Sequence, residues 1–286
     1  MTKMHYCLLC LIWIMIACIS CSEQNGSPAV SSDAVEIAYE VQGEGKSALV
    51  FIHGWSNNRT VWDDQIDHFS QNYKVVALDL AGFGESGNNR MSWTVSNFAD
   101  DVKAVVEELN LDRIILVGFS MGAGVAVETA TKMPEAVDGI VVVDHLHDVD
   151  AKMPPEAVDN LINSFMHIVN NPTMENTQPF FRHNREENHQ RLLAMIQDVP
   201  KKGWREMLRT YSKWLNEDVT ESLSEIECPV IAINSDQQPT NIDAFRKYVP
   251  SFEARIIPDV GHLVMWDAPE KFNNLLEESI QELAKE

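Results

Sequence analysis

The stretch IILVGFSMG at residues 114–122 decides the fold of this chain. Its first five residues form a short apolar run of the kind found in strands that are buried on both faces. In residues 123–133, which follow, the apolar side chains recur at the spacing of a helix. The G-x-S-x-G sequence at 118–122 joins the two segments, and its glycines permit a tight turn that holds the Ser120 hydroxyl clear of the sheet. Taken alone, the same five residues also fit a plain strand–helix connection with a surface serine.

Further apolar runs flank this stretch on both sides. Residues 34–41 alternate between apolar and polar and are typical of a strand. Short runs that suit buried strands lie at 48–52, 74–79, 139–144, 229–234 and 253–257. Segments at helical spacing separate them, at 96–109 with Ser96 as the N-cap, and at 269–283. This alternation predicts an α/β fold with a mostly parallel central sheet and helices on both faces.

Residues 145–228 interrupt the alternation. They contain helical patterns, such as 156–169 and 204–215, that are broken by prolines, and they contain no convincing strand. Because this segment lies between two predicted strands, we expect it to form a helical cap inserted over the sheet. The core of the fold then consists of residues 34–144 and 229–286.

Two more loops follow predicted strands and carry chemically useful groups. His53-Gly54-Trp55 comes directly after the second strand, and Asp259-Val260-Gly261-His262 follows the last one. Backbone N–H groups from the first loop and from the residue after a nucleophilic serine can hold an oxyanion, and here these donors are Trp55 and Met121. We interpret the His53 side chain as a structural brace of its loop.

Four motifs stand in the order found in the α/β-hydrolase family, and the chain resembles that family from residue 34 to its C-terminus. They are H-G-W at 53–55, D-L-A-G-F-G-E-S at 79–86, G-F-S-M-G at 118–122 and the late G-H at 261–262. The resemblance implies that Ser120 is the nucleophile and that His262 takes its proton and returns it to the leaving group. It also implies that the second motif is structural and that no cofactor takes part.

The acid of the triad departs from the common family pattern. Family members often place it in a G-x-x-D turn after the strand at 229–234, where this chain has Ser235 and Gln238 in the positions of the Gly and the Asp. A glutamine cannot stabilise an imidazolium as a carboxylate does. Asp144, at the end of the preceding strand, is the preferred acid because some family members carry theirs there, and Asp236 is the alternative. Asp144 also fits the N-cap of a following helix.

These residues predict a serine hydrolase that cleaves a carboxylic ester or a related acyl compound of small size. Two other functions stay open, namely a cofactor-free oxygenase that uses the His–Asp pair as a base and a non-catalytic binding protein that kept the fold. With Trp55 and Met121, the aromatic side chains of the cap suit an apolar acyl or alcohol pocket, although each also suits core packing. These aromatic residues are Phe165, Phe180, Phe181, Trp204 and Trp214.

The sequence His145-Leu146-His147-Asp148 places two histidines and a carboxylate close together, as some zinc sites do. No further ligands stand at a recognisable spacing. We therefore interpret this segment as the start of a helix and the hinge of the cap, and we expect no metal ion.

The first residues resemble a bacterial export signal. Residues 7–19 form an uninterrupted apolar run. This run is too short to span a bilayer as a helix and is typical of the core of a signal peptide. Cys21, preceded by a small residue, is the predicted lipidation site of a lipoprotein, and Cys18 is the alternative. Residues 1–21 are then the signal peptide and 22–33 a polar tether. We expect export to the periplasm or anchoring at the outer membrane, with the lipid as the only membrane contact.

The negative charge of the chain disfavours some classes of binding partner. Asp and Glu outnumber Lys and Arg by 43 to 22, which gives a formal net charge of −21. Such a surface repels phosphate backbones and anionic lipid head groups, so binding to nucleic acid is not expected.

The cysteines are concentrated at the N-terminus, at positions 7, 10, 18 and 21, and Cys228 is the only one in the rest of the sequence. A structural disulfide in the mature domain is therefore not expected.

Overall fold

The computed structural model describes residues 28–183, 185–197 and 201–284, so the predicted signal peptide and both cysteines proposed for lipidation lie outside the described residues. The strands within these ranges are β1 (Ala29–Val30), β2 (Glu36–Ile37), β3 (Tyr39–Gln42), β4 (Ala48–Ile52), β5 (Lys74–Leu78), β6 (Ile114–Phe119), β7 (Val137–Val143), β8 (Val230–Ser235) and β9 (Glu253–Ile257). The helices are α1 (Asp63–Phe69), α2 (Val95–Glu108), α3 (Met121–Lys132), α4 (Pro155–Asn170), α5 (Met174–Thr177), α6 (Glu186–Gln197), α7 (Trp204–Glu217), α8 (Val219–Glu225), α9 (Ile242–Arg246), α10 (Val264–Asp267) and α11 (Pro269–Leu283). None of the helices in these ranges combines the length and the apolar character that crossing a bilayer requires.

One seven-stranded sheet forms the centre of the molecule, in the order β3-β5-β4-β6-β7-β8-β9. β3 pairs antiparallel with β5, and the other neighbours pair in parallel. Every residue of β4 and β6 is buried, as expected for central strands that are covered on both faces. The predicted mostly parallel sheet with helices on both faces is confirmed.

The strand predicted at 34–41 is divided between two sheets. Its first part, β2, pairs with β1, and Ile37 lies opposite Ala29, whereas its second part, β3, joins the large sheet. Ala38 lies between the two strands, and its N–H donates to the Oγ of Ser86 at 2.8 Å instead of to a neighbouring strand. The apolar–polar alternation therefore continues along a segment in which the chain changes its pairing partner.

The packed structure begins before residue 34, inside the predicted tether. Ala29 is only 1% exposed. Asp33 accepts hydrogen bonds from the buried guanidinium of Arg90, and the Nε–Oδ2 distance is 2.7 Å. An apolar side chain and an ion pair thus fix residues 29–33 to the fold.

Helix α2 begins one residue earlier than the sequence predicts and has a different N-cap. Thr94 has an extended backbone with ψ of 160°, and its Oγ1 accepts a hydrogen bond from the Asn97 N–H at 3.2 Å. The prediction that Ser96 is the N-cap is therefore wrong, since that residue lies within the first helical turn. Both residues are good N-caps, and only the backbone conformation selects between them.

The segment between β7 and β8 forms α4 to α8, and its described residues contain no strand. Helix α7 connects this segment to the loops beside the sheet. Trp204, at its first position, is fully buried and stacks on Phe83 with ring centres 5.5 Å apart. The Trp204 Nε1–H also donates to the Gly82 carbonyl at 3.3 Å. This contact brings α7 close to the carboxyl ends of the parallel strands, where α/β proteins bind their ligands.

Candidate active site

The turn between β6 and α3 holds Ser120 in a strained backbone conformation. Its φ of 52° and ψ of −120° lie where non-glycine residues are rare, and its N–H donates to the Val143 carbonyl at 3.0 Å. A Cβ on Gly118 would lie 2.3 Å from the Gly122 oxygen, and a Cβ on Gly122 would lie 2.5 Å from the Ile52 oxygen. Both glycines of the motif are therefore needed for the close backbone approach that positions Ser120.

The loop after β4 is held directly against this turn. A Cβ on Gly54 would lie 3.0 Å from the Ser120 Cβ. His53 is fully buried, and burial lowers its pKa, so the ring is neutral with one donor and one acceptor. Its Nε2 accepts from the Leu80 N–H at 3.0 Å, which leaves Nδ1 to donate to the Gly54 oxygen at 2.7 Å. The side chain of His53 thus braces the loop, as the sequence predicts.

The two predicted oxyanion donors lie around the serine. Trp55 and Met121 line the same cavity as Ser120. Met121 is the first residue of α3, so its N–H has no acceptor within the helix. The Trp55 N–H donates to no other residue in the described part of the chain. Both N–H groups are therefore available to a ligand oxygen.

Asp144, and not Asp236, contacts the histidine. The Nδ1 of His262 lies 2.7 Å from Oδ2 of Asp144, and the Ser235 N–H donates to Oδ1 at 2.6 Å. Burial of Asp144 opposes its ionisation, but the hydrogen bonds from His262 and Ser235 outweigh it and lower the pKa of the carboxyl. Asp236 instead accepts from the Asp259 N–H at 3.1 Å. A φ of 44° turns the chain at Asp144, and no helix begins there, so its alternative interpretation as an N-cap is wrong.

A second buried carboxylate fixes the loop that carries the histidine. Oδ2 of Asp267 accepts from the Gly261 N–H at 2.7 Å and from the Arg182 N–H at 2.8 Å. A Cβ on Gly261 would lie 2.5 Å from the Phe180 oxygen. Asp267 therefore holds the His262 loop and the chain after α5 against each other.

These groups surround a cavity of about 100 Å³. Ser120 and His262 both line it. Among the aromatic residues that the sequence suggested for a pocket, Phe165 and Phe180 line the cavity together with Trp55. The other three pack elsewhere, with Phe181 on Trp266, Trp204 on Phe83 and Trp214 on Tyr211. The cavity is of a size and character that accept a small, largely apolar group.

Residues 47–269 match the alpha/beta hydrolase fold family. The chain belongs to this family. The (E)-2-((N-methylformamido)methylene)succinate hydrolase of Acinetobacter baylyi is 26% identical over 249 residues, which cover 84% of this chain and 92% of that protein. A thermophilic esterase from Thermogutta terrifontis has the same fold, with a TM-score of 0.75, 24% identity and coverage of 92% of this chain and 99% of its own. An uncharacterized protein of Mycobacterium tuberculosis is 33% identical over 106 residues, and the match spans 37% of this chain but only 31% of that relative.

The histidines after Asp144 do not begin a helix in this α/β-hydrolase. The next helix, α4, starts at Pro155, so the interpretation of His145 as a helix start is wrong. His145 lines the cavity, and Nε2 of His147 lies 3.7 Å from Oδ1 of Asp144. Within the described ranges, no group of three or more His, Cys, Asp or Glu side chains is arranged to hold a metal ion.

Two residues at this site, Tyr211 and Asp267, were not predicted from the sequence. Tyr211 lines the cavity from α7, whose buried positions follow the i, i+3, i+4, i+7 pattern from Trp204 onward. That pattern places Tyr211 on the inward face, although it does not indicate contact with the cavity. Asp267 is found only from its contacts, because no local motif surrounds it.

Proposed function

We propose that this α/β-hydrolase cleaves carboxylic esters of small molecules through a Ser120–His262–Asp144 triad and an acyl-enzyme. The observation that carries the proposal is the 2.7 Å contact between His262 Nδ1 and Asp144 Oδ2, beside a cavity that Ser120 also lines. Because the carboxylate holds the proton on Nδ1, the lone pair of Nε2 is left to accept a proton from Ser120.

The reaction runs in two half-reactions. Ser120 Oγ attacks the ester carbonyl carbon while its proton passes to Nε2 of His262, and the oxyanion accepts hydrogen bonds from the N–H groups of Trp55 and Met121. The tetrahedral intermediate then expels the alcohol, whose oxygen takes the proton from His262. A water molecule attacks the acyl-enzyme in the same way, which releases the acid and returns a proton to Ser120.

The comparisons support an enzyme of the hydrolase kind. The Acinetobacter relative is a hydrolase, and the Thermogutta esterase has the same fold. The strained backbone of Ser120 adds a physical argument, because strain of this kind is retained where the surrounding structure and function require it.

Covalent labelling tests this proposal. A fluorophosphonate is expected to stop ester hydrolysis and to add one phosphonyl group, which peptide mass mapping locates on Ser120. Iodoacetamide is the matched control when its reaction is measured on the peptide that carries Cys228, because burial raises the pKa of this thiol to about 12 and keeps it protonated. A folded protein that hydrolyses esters without any adduct on Ser120 contradicts the proposal.

We also propose that the chain is exported as a lipoprotein with its lipid on Cys21. The apolar run at 7–19 and the polar segment after Cys21 support this assignment. In a Gram-negative host fed alkyne-palmitate, the full chain is expected to carry the label, Cys21→Ala to lose it and Cys18→Ala to keep it. Loss of the label in Cys18→Ala alone moves the site to Cys18, and an unlabelled full chain contradicts lipidation.

A further inference from the structure

Three polar side chains at the cavity have hydrogen-bonding capacity that no described residue uses. The Nε2 of His145 and the Nε1 of Trp55 have no partner, and the Tyr211 hydroxyl is contacted by the Gly124 N–H but has no acceptor for its own proton; all three residues line the cavity. Tyr211 is 8% exposed and Trp55 is 7% exposed. Unpartnered buried polar atoms also lie elsewhere in the described residues, on Trp62, Gln65, His189 and Asp267. The three groups at the cavity differ from these because they line one space beside Ser120, where a ligand can pair with them and offset the cost of leaving them unpaired.

Two of these side chains lie next to each other at the Ser120 end of the cavity. The rings of His145 and Tyr211 are 5.6 Å apart. A Cβ on Gly124 would lie 2.8 Å from Tyr211 Oη, which places the hydroxyl beside the first turn of α3 and near Ser120. His145 directly follows Asp144. We refer to His145 and Tyr211 as the polar corner.

The polar corner is uncharged. Burial, with smaller contributions from His262 and His147, lowers the pKa of His145 to about 3, so its ring is neutral at any working pH. Burial raises the pKa of Tyr211, so its hydroxyl keeps its proton. No Lys or Arg belongs to the described lining of the cavity. A carboxylate in this cavity therefore loses its hydration without gaining a cationic partner, which is costly.

We propose that the polar corner binds a neutral hydrogen-bonding group, such as a hydroxyl, on the acyl chain of the substrate close to the scissile carbonyl. The inference rests on the proposed function, since it assumes that Ser120 is acylated. The acyl group is the part of the substrate that stays in the cavity through both half-reactions, so a contact with it acts on both. Most of the remaining lining is apolar and suits the hydrocarbon of the same chain, as Leu161, Phe165, Leu208 and Leu215 show.

A matched pair of esters tests this specificity. The p-nitrophenyl esters of 3-hydroxybutyrate, as each enantiomer, and of 3-methylbutyrate differ only by a hydroxyl in place of a methyl group. After division by their alkaline hydrolysis rates, the better hydroxy enantiomer is expected to have a kcat/KM at least about tenfold above the methyl ester. Charged p-nitrophenyl hemisuccinate is expected to react more slowly than either.

Two variants connect the preference to the polar corner. Tyr211→Phe removes the hydroxyl and His145→Phe removes both ring nitrogens, while each variant keeps an aromatic ring, and each is expected to bring the hydroxy-to-methyl ratio close to one. Tyr73→Phe is the control, because this hydroxyl is remote from the cavity and donates to Glu277 at 2.8 Å. The Tm of Tyr211→Phe is expected to equal or exceed that of the native chain, since a buried hydroxyl whose proton has no acceptor is removed.

The outcomes separate the two proposals. If Ser120 is labelled and both esters are cleaved at equal corrected rates, or if neither variant changes the ratio, the polar corner does not select the substrate and the proposed function stands. If Ser120 is not labelled and neither ester is cleaved, the proposed function fails and the inference fails with it.

Discussion

Ser120→Ala is expected to lower kcat for a p-nitrophenyl ester by about 10⁵- to 10⁶-fold, the size of loss that follows removal of a serine nucleophile elsewhere. Without Oγ no acyl-enzyme forms, and only the oxyanion donors and substrate binding act on direct attack by water. The variant is expected to fold normally, because it removes only a side-chain oxygen at the cavity and keeps the backbone hydrogen bond from the Ser120 N–H to the Val143 carbonyl. Initial rates measured after removal of any contaminating host esterase check this.

Ser224→Ala is the matched control, since this serine lies on the exposed side of α8 and donates only to the Thr220 carbonyl. It is expected to keep full activity. The same Ser120→Ala protein also separates the proposed hydrolase from a cofactor-free oxygenase, in which His262 and Asp144 act without the serine. Turnover that survives in Ser120→Ala, together with oxygen consumption on a heteroaromatic substrate, contradicts the acyl-enzyme mechanism.

The predictable part of this molecule is the part that is determined locally. The strands at 48–52 and 253–257 and the helix at 269–283 match their predicted bounds, because each is an apolar or periodic run with turn residues at its ends. The prediction that 253–257 is a buried strand is wrong, since β9 lies at the edge of the sheet and Ile257 is its only buried residue. The turn at Ser120 was predictable for the same reason. Two glycines, a preceding strand and a following helix leave few other conformations open to it.

The remaining features depend on contacts between distant segments. The apolar–polar alternation at 34–41 does not show that the chain changes pairing partner at Ala38, since the side-chain period is the same on both sides. The five aromatic residues that the sequence suggested for a pocket are equivalent in sequence, yet among them only Phe165 and Phe180 line the cavity. The position of each aromatic side chain depends on how α4, α7 and the segment at 178–181 pack on the core. Such packing between distant segments is not visible in the local sequence pattern.

The triad acid depends most strongly on such contacts. Asp144 follows β7 and Asp236 follows β8, and these are adjacent parallel strands whose carboxyl ends meet at the same edge of the sheet. Either carboxylate is therefore near the loop after β9 on topology alone. The left-handed backbone at Asp144, with φ of 44°, and the Ser235 N–H together direct its carboxylate toward His262, and neither is visible in the sequence.

Asp144→Asn is expected to lower kcat by about 10⁴-fold, while Asp236→Asn stays within about threefold of the native chain. The asparagine oxygen can still accept from the Ser235 N–H, so the amide NH₂ is directed at Nδ1 of His262. Nδ1 must then accept rather than donate, which moves the ring proton to Nε2, the atom that has to take the proton of Ser120. The variant is therefore expected to keep its fold, but His262 can no longer act as the general base for Ser120.

The wrong tautomer gives this variant a signature that mere unfolding does not produce. Asp144→Asn is expected to keep the native Tm to within a few degrees and to bind a competitive inhibitor with an unchanged Kd, while fluorophosphonate labels Ser120 far more slowly because the serine is no longer activated. Asp236→Asn serves as its matched control, because the same chemical change there removes a negative charge that does not contact His262, while the asparagine oxygen can still accept from the Asp259 N–H. A large loss in Asp236→Asn with full activity in Asp144→Asn transfers the role to Asp236 and requires the loop after β8 to rearrange, since Asp236 contacts Asp259 and not His262 in this structure.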